Sequence, residues 1–161
     1  MASVFYRLHF GKRPIVAKGT YQAVKGRGFL SRLLYPAIGI PVTRGSAFEI
    51  YVNPQSGCWK RSFGRHIFKT YAQTREKTFI EKKGVVEFIF DLHVNDNKLT
   101  YELKNLRILK IKIPKKFIIH IIAECEQTDE NQWHFDIRTH DPLGNTIVRY
   151  WGLAEIRDGI S

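Results

Sequence analysis

Residues 85–104, VVEFIFDLHVNDNKLTYELK, decide the fold. Apolar side chains recur at every second position: Val86, Phe88, Phe90, Leu92 and Val94 before Asn95-Asp96-Asn97, then Leu99, Tyr101 and Leu103 after it. A period of two marks a strand with one buried face, because successive side chains leave the backbone on opposite sides. An Asn/Asp-rich junction between two such runs marks a hairpin. A two-residue turn at Asp96-Asn97 sets Leu92 opposite Tyr101 and Phe90 opposite Leu103. On the other face it sets Asp91 opposite Glu102 and His93 opposite Thr100.

The same period extends in both directions. Upstream, Phe48, Ile50 and Val52 alternate with polar partners, and Asn53-Pro54-Gln55-Ser56-Gly57 reads as a turn. Trp59, Arg61 and Phe63 then alternate up to a two-residue turn at Gly64-Arg65, followed by HIFKTYA and a short strand over 77–82. Downstream, residues 107–113 read as a strand stopped by Pro114, 118–127 as a strand of high apolar density, and 132–140 with 146–156 as a last hairpin. Residues 15–25 read as a first strand. Residues 28–40, GFLSRLLYPAIGI, place Leu30, Leu33, Leu34, Ala37 and Ile38 at helical spacing, with Pro36 expected to kink or end the helix.

About nine or ten strands with short turns, one short N-terminal helix and no repeated βα unit predict a mainly antiparallel β fold. The expected architecture is a strongly curved meander sheet or a partial or closed β-barrel, since closure removes exposed edges. A barrel of this size has room for one small ligand. Residues 1–14 read as a loosely ordered leader, or as the stub of an element cut off by the domain boundary, and 15–158 as a single β-rich domain.

Charge is uneven. The net charge is +11, and residues 1–48 hold eight Lys or Arg and no acid. Such an excess fits either a solvated surface or an anionic partner: a phospholipid surface, a nucleic acid or an acidic ligand. Nucleic-acid binding ranks last because no recognition motif accompanies the charge. Cys58 and Cys125 lie far apart and read as buried thiols of a reducing compartment. No cysteine–histidine cluster has ligand spacing, so neither a metal nor another cofactor is expected. No apolar run reaches membrane-spanning length, and the N-terminus lacks a signal-peptide core. A cytoplasmic protein, or one peripheral to a membrane, is the expectation. Nothing in the sequence bears on oligomeric state.

Two faces are candidates for chemistry. Turning at Gly64-Arg65 pairs Phe63 with His66, Arg61 with Phe68 and Trp59 with Thr70, so an Arg and a His share a face with aromatics. Pointing inward, Arg61 is suited to hold a carboxylate or phosphate or to stack on a ring; the alternative is a structural ion pair with an internal acid such as Glu124, or a side chain that reaches out to water. Trp59, Arg61, Phe63, His66, Phe68 and Tyr101 are thus the ligand-binding candidates. The Asp91–Glu102 pair, with His93, and His66 on the other hairpin, are the acid/base candidates; a solvated face neutralised by Lys83 or Lys104 is the competing account. Gly26-Arg27-Gly28 before the helix lacks a dinucleotide fingerprint and reads as a tight turn.

Four blocks together resemble one bacterial family: GTYQAVKGRGFLSRLLYPAIGIP, WKRSFGRHIFKT, NKLTYELKNLRILKIKIPKKF and VRYWGLAEI. That family is catalogued as domain of unknown function 4166, and the likeness runs over roughly residues 16–156, most specifically at Trp59, Arg61, Phe63, Gly64 and Phe68. Members often follow a reductase- or epimerase-like domain or a membrane-embedded part. The resemblance implies an accessory domain of such a protein or a free-standing relative, and no established activity. The functional expectation is a binding module for a hydrophobic or anionic, lipid-like small molecule; the alternative is a small enzyme or enzyme accessory domain.

Overall fold

The β6–β7 hairpin forms in the expected register. In a computed structural model that describes residues 3–157, strand β6 (Val86–Asn95) pairs with β7 (Lys98–Ile108), with Leu92 opposite Tyr101 and Asp91 opposite Glu102. Asp96 takes a left-handed backbone, φ 48°, to make the turn, a conformation that Asp and Asn tolerate better than most residues.

The remaining strands follow as a meander. They are β1 (Ile15–Lys25), β2 (Thr43–Asn53), β3 (Cys58–Phe63), β4 (His66–Arg75), β5 (Thr78–Lys83), β9 (His120–Asp129), β10 (Gln132–His140) and β11 (Thr146–Ile156). Each pairs antiparallel with the strand before it, β11 also pairs with β1, and the β6–β7 ladder joins the two ends of the sheet. The result is a closed ten-stranded antiparallel barrel. A two-residue strand, β8 (Ile111–Lys112), folds back on the end of β7. It corrects the single strand expected over 107–113: β7 runs on to Ile108, turns at Leu109-Lys110 and returns. β9 pairs with β7 only from Lys98 to Glu102, so beyond Glu102 the wall parts and residues 109–119 cover the gap.

The side chains sort by face. Ala17, Tyr21, Phe48, Val52, Phe90 and Phe135 point inward and are buried. Mid-strand residues on the outer face include the Lys18–Glu49, Lys82–Glu87 and Arg149–Asp136 ion pairs. A charged wall around an apolar interior is the reverse of a barrel whose wall faces lipid. Among the described residues no helix is long and apolar enough to cross a membrane.

Both ends carry a helix. The expected helix is α2 (Phe29–Ile38), between β1 and β2, ended by Gly39 at φ 69°. Pro36 lies within its last turn rather than ending it. Ser31 fixes α2 to the barrel rim by donating its hydroxyl to the Gly26 and Ile147 carbonyls, 2.9 and 3.0 Å away. The side chain of Ala37 lies outside the described residues. At the opposite end the expected loose leader is instead a second helix, α1 (Val4–Phe10), capped by the Ser3 hydroxyl. Val4 and Leu8 are fully inside the barrel, and Arg7 donates to the Glu130 carbonyl and the Asn131 side chain. Two apolar residues four apart, on one face of a helix, act as a plug. Residues 1–2 and the boundary expected at residue 158 lie outside the described residues.

Gly19 and Gly152 allow β1 and β11 to approach closely. A Cβ on Gly19 would lie 1.9 Å from the Leu153 carbonyl oxygen and 2.8 Å from the Phe48 ring, and one on Gly152 would lie 2.1 Å from the Thr20 carbonyl oxygen. Neither backbone oxygen can move without breaking the ladder. Gly19→Val is therefore expected to destabilise the barrel by about 3 kcal/mol or more, the upper range for overpacking a core. Urea unfolding of the variant beside Gly28→Val, where a Cβ meets no atom within 4 Å, checks this.

Candidate functional site

The barrel is not filled by its own side chains. A cavity of about 330 Å³, open to solvent over part of its surface, remains among them. Its walls are mostly aromatic and aliphatic: α2 contributes Leu34 and Ile38, α1 contributes Phe5 and Leu8, and the strands contribute rings such as Phe48, Phe63, Phe88 and Phe135. Its charged lining residues are Arg61, Glu81 and Lys83.

Arg61 and Glu81 form the polar centre. Arg61 Nη1 donates to Glu81 Oε1 at 2.7 Å and to Thr70 Oγ1 at 3.2 Å, and the Thr70 hydroxyl donates to the same carboxylate oxygen at 2.6 Å. The guanidinium also lies against two rings, its carbon 5.3 Å from the centre of Trp59 and 5.8 Å from that of Phe68, a favourable cation–π arrangement away from water. Burial would lower the pKa of Arg61, but the Glu81 carboxylate more than offsets this, and the pKa rises. Arg61 has five N–H donors in a fixed fork. Only Nη1 is hydrogen-bonded among the described residues, and the surface that the guanidinium keeps faces the cavity.

Around this pair sit groups held protonated. Burial pushes the Cys125 thiol up to about 12 and the Tyr150 phenol up to about 12, with Arg61 opposing in both cases. Burial raises Tyr101 well above the ordinary range. A thiol so far from ionising is inert as a nucleophile, so these groups offer the cavity hydrogen-bond donors rather than anions.

His9, on α1, closes the plugged end. Its Nε2 lies 2.5 Å from the Tyr101 hydroxyl and its Nδ1 2.8 Å from Thr74 Oγ1, within a cage formed by Trp59, Phe79 and Tyr101, whose ring centres are 5.2–5.7 Å away. A second groove of about 350 Å³ along β4 and the β2–β3 turn shares Leu8, Trp59 and Phe79 with the cavity. His9 lines the groove and stands in the wall between the two.

Of the ligand-binding candidates, Trp59, Arg61, Phe63, Phe68 and Tyr101 all line the cavity. His66 does not: it sits beside the Gly64-Arg65 turn, exposed at the rim. The internal acid partnering Arg61 is Glu81, not Glu124, which is on the outer face with Lys98 and Arg138. The acid/base candidates also face outward. Asp91 and Glu102 are directly opposed, Lys104 Nζ lies 2.8 Å from Asp91, and exposed His93 lies 3.8 Å from Glu102. None of the three lines the cavity, so they converge on no enclosed site for acid/base work. Lys104 is the neutralising lysine, while Lys83, exposed at the end of β5, stands at the mouth of the cavity. Glu81 was open to inference, since Phe79, Glu81 and Lys83 alternate on one face. His9 was not: seven residues of helix give too short a period.

The Gly26-Arg27-Gly28 turn serves packing, because a Cβ on Gly26 would lie 1.6 Å from the Thr146 carbonyl oxygen.

The family is now decided by the match of its model to residues 4–153. The chain belongs to the family described as "Domain of unknown function (DUF4166)". No curated protein matches it. A solved structure from Nostoc punctiforme, a protein of unknown function from the DUF3598 family, is similar in fold, with a TM-score of 0.55 at 10% identity. The match covers 89% of this chain and 50% of that one, so the DUF4166 chain spans about half the length of its neighbour.

Burial lowers the His9 imidazole to a pKa of about 4, the Glu81 carboxylate pulling weakly the other way. The native state therefore refuses a proton that the unfolded chain accepts below about pH 6.5. The stabilisation is complete above that pH and is lost as pH falls towards 4, about 3 kcal/mol in all. Urea titrations at pH 7 and pH 4.5 are expected to show this loss in the wild type, and a much flatter pH response in His9→Gln.

Proposed function

We propose that this domain binds a small amphipathic molecule inside the barrel, its apolar body among the aromatic walls and its hydrogen-bond-accepting or anionic head at Arg61. The observation that carries the reading is the guanidinium with unused N–H donors facing an apolar cavity. A buried ion pair does little for stability compared with apolar residues of equal size. The Arg61 side chain keeps 18% of its surface exposed, and a ligand head that accepts from the N–H groups left over by Glu81 and Thr70 gains a charge-assisted hydrogen bond.

Charge narrows the ligand class. Arg61 keeps N–H donors beyond its bonds to Glu81 and Thr70, and a guanidinium fork suits a carboxylate head best. The inert Cys125 and the protonated Tyr101 and Tyr150 supply no base or nucleophile, which favours carriage over turnover. The apolar chain enters beside α2, where Leu34 and Ile38 form a cover over the cavity.

Denaturing extraction of the purified protein followed by mass spectrometry is the direct test, with an amphiphilic acid the expected extract. A sharper test uses one fluorescent long-chain acid and its alcohol analogue. Glu81→Gln removes the carboxylate that competes for Arg61 and is expected to tighten acid binding by about tenfold, with little change for the alcohol, the effect of one charge-assisted hydrogen bond. The paired substitution Arg61→Met with Glu81→Gln is expected to remove the acid's advantage. Equal affinities for acid and alcohol in all three proteins would show that no head group engages Arg61.

A further inference from the structure

The two ends of the barrel differ in chemistry. At the α2 end the segments joining the strands, residues 26–42, 64–65, 84–85, 109–119 and 141–145, carry seven Lys or Arg and one acid. That acid, Asp141, is buried, its carboxylate taken by the backbone N–H groups of Leu143 and Asn145. At the α1 end residues 3–14, 54–57, 76–77, 96–97 and 130–131 carry four basic and three acidic residues. The positive charge thus comes from three separate parts of the sequence, Arg27 and Arg32 around α2, Arg65 in the β3–β4 turn, and Lys110, Lys112, Lys115 and Lys116 in the segment after β7, brought to one end by the meander.

The same end exposes apolar side chains. Eight of the fifteen large apolar residues exposed among the described residues lie in those segments, and Val24, Ile67 and Ile108 flank them on the adjoining strand ends. Phe29 and Leu33 project outward from α2, Phe29 at 80% exposure, while Leu34 and Ile38 of the same helix line the cavity. The helix thus presents apolar side chains to solvent and to the cavity at once. Leu109, Ile111, Phe117 and Leu143 complete the surface, Leu143 at 81% exposure. Leu109 and Lys110 form a hairpin turn with φ 52° and 67°, a region branched residues occupy only under constraint.

We infer that the α2 end is a docking surface for an anionic phospholipid bilayer. Basic side chains interleaved with protruding apolar ones are the chemistry of an interfacial anchor, the charges attracted by the leaflet and the apolar groups buried in its outer layer. A nucleic acid complements the charge but has no use for Phe29, Leu33, Leu109 and Phe117. The surface stands whether or not the cavity holds a lipid. If it does, docking sets the covered mouth against the store of ligand.

Co-sedimentation with vesicles tests this on the full chain. Vesicles of phosphatidylcholine with about 30% phosphatidylserine are expected to bind the protein at low salt, and pure phosphatidylcholine to bind at least about tenfold less, with the difference lost above about 0.5 M salt as the Debye length shrinks. Lys110→Glu with Lys115→Glu is expected to abolish that binding, and Phe29→Ser with Leu33→Ser to weaken it about tenfold. Lys12→Glu with Arg13→Glu, at the other end, is expected to leave it unchanged. Circular dichroism confirms that each variant is folded, and acid affinity measured without vesicles reads the cavity separately. Equal binding to both vesicle types, no binding at low salt, or the same loss from Lys12→Glu with Arg13→Glu would overturn the assignment. So would tight binding of RNA or DNA that Phe29→Ser with Leu33→Ser leaves untouched, with no affinity for vesicles.

Discussion

Closure of the sheet by the β6–β7 ladder is the constraint on which the rest depends. Ten strands that coil but do not meet would leave two edges with unpaired N–H and C=O groups and an apolar face open to water. Once Val86 pairs with Ile108 and Asn95 with Lys98, that face becomes an interior of fixed circumference. Ten strands enclose more space than one layer of inward side chains fills, even with Trp59, Trp133 and several Phe pointing in. The cavity is the geometric consequence of strand number, and the helices at the two ends determine how it communicates with solvent. α1 inserts Val4, Leu8 and His9 and seals its end; α2 lies on the rim, held by the Ser31 hydroxyl.

An apolar cavity with a charged pair in it is thermodynamically awkward. Desolvating Arg61 and Glu81 costs several kcal/mol for each, which their mutual attraction and the Thr70 hydroxyl offset only in part. Hydrophobic residues of similar size would make a more stable barrel. The arrangement makes sense if stability is not what those residues serve. Trp59 and Phe68 flank the guanidinium, and Glu81 fixes one of its nitrogens, so the remaining donors are oriented before any ligand arrives. Preorganisation of this kind reduces the entropy lost on binding, and in a low-dielectric site each hydrogen bond to a charge counts for more than it does in water.

The period of two carried most of this into view. Registers at Gly64-Arg65 and Asp96-Asn97 follow from turn length alone, and they placed Trp59, Arg61, Phe63, Phe68 and Tyr101 on inward faces. What stayed hidden was long-range. Arg61 meets Glu81 because β4, between them in the sheet, contributes Thr70 and Ala72 to the same inner face, and no local pattern announces which acid an interior arginine reaches. The α1 plug was hidden for a different reason. Seven residues cannot form a stable helix alone, so Val4–Phe10 takes its conformation from the barrel end it closes, through contacts to Gln127, Glu130 and Asn131 more than a hundred residues away.

The same separation of scales explains the charge. Read along the chain, the excess of positive residues belongs to the first 48 positions, and the remainder is nearly balanced. The fold regroups it. An up-and-down meander sends alternate connections to opposite ends, so Arg27 and Arg32 arrive beside Lys110, Lys115 and Lys116 although some eighty residues of chain lie between them. Acids are spent on the barrel wall, where Glu49, Glu87, Glu124 and Asp136 pair with neighbouring cations, leaving the α2 end with little to neutralise it. An axial polarity of this kind cannot be seen in composition or in any window of sequence. It comes from which end each connection occupies, which in turn follows from antiparallel pairing and the short turns that enforce it.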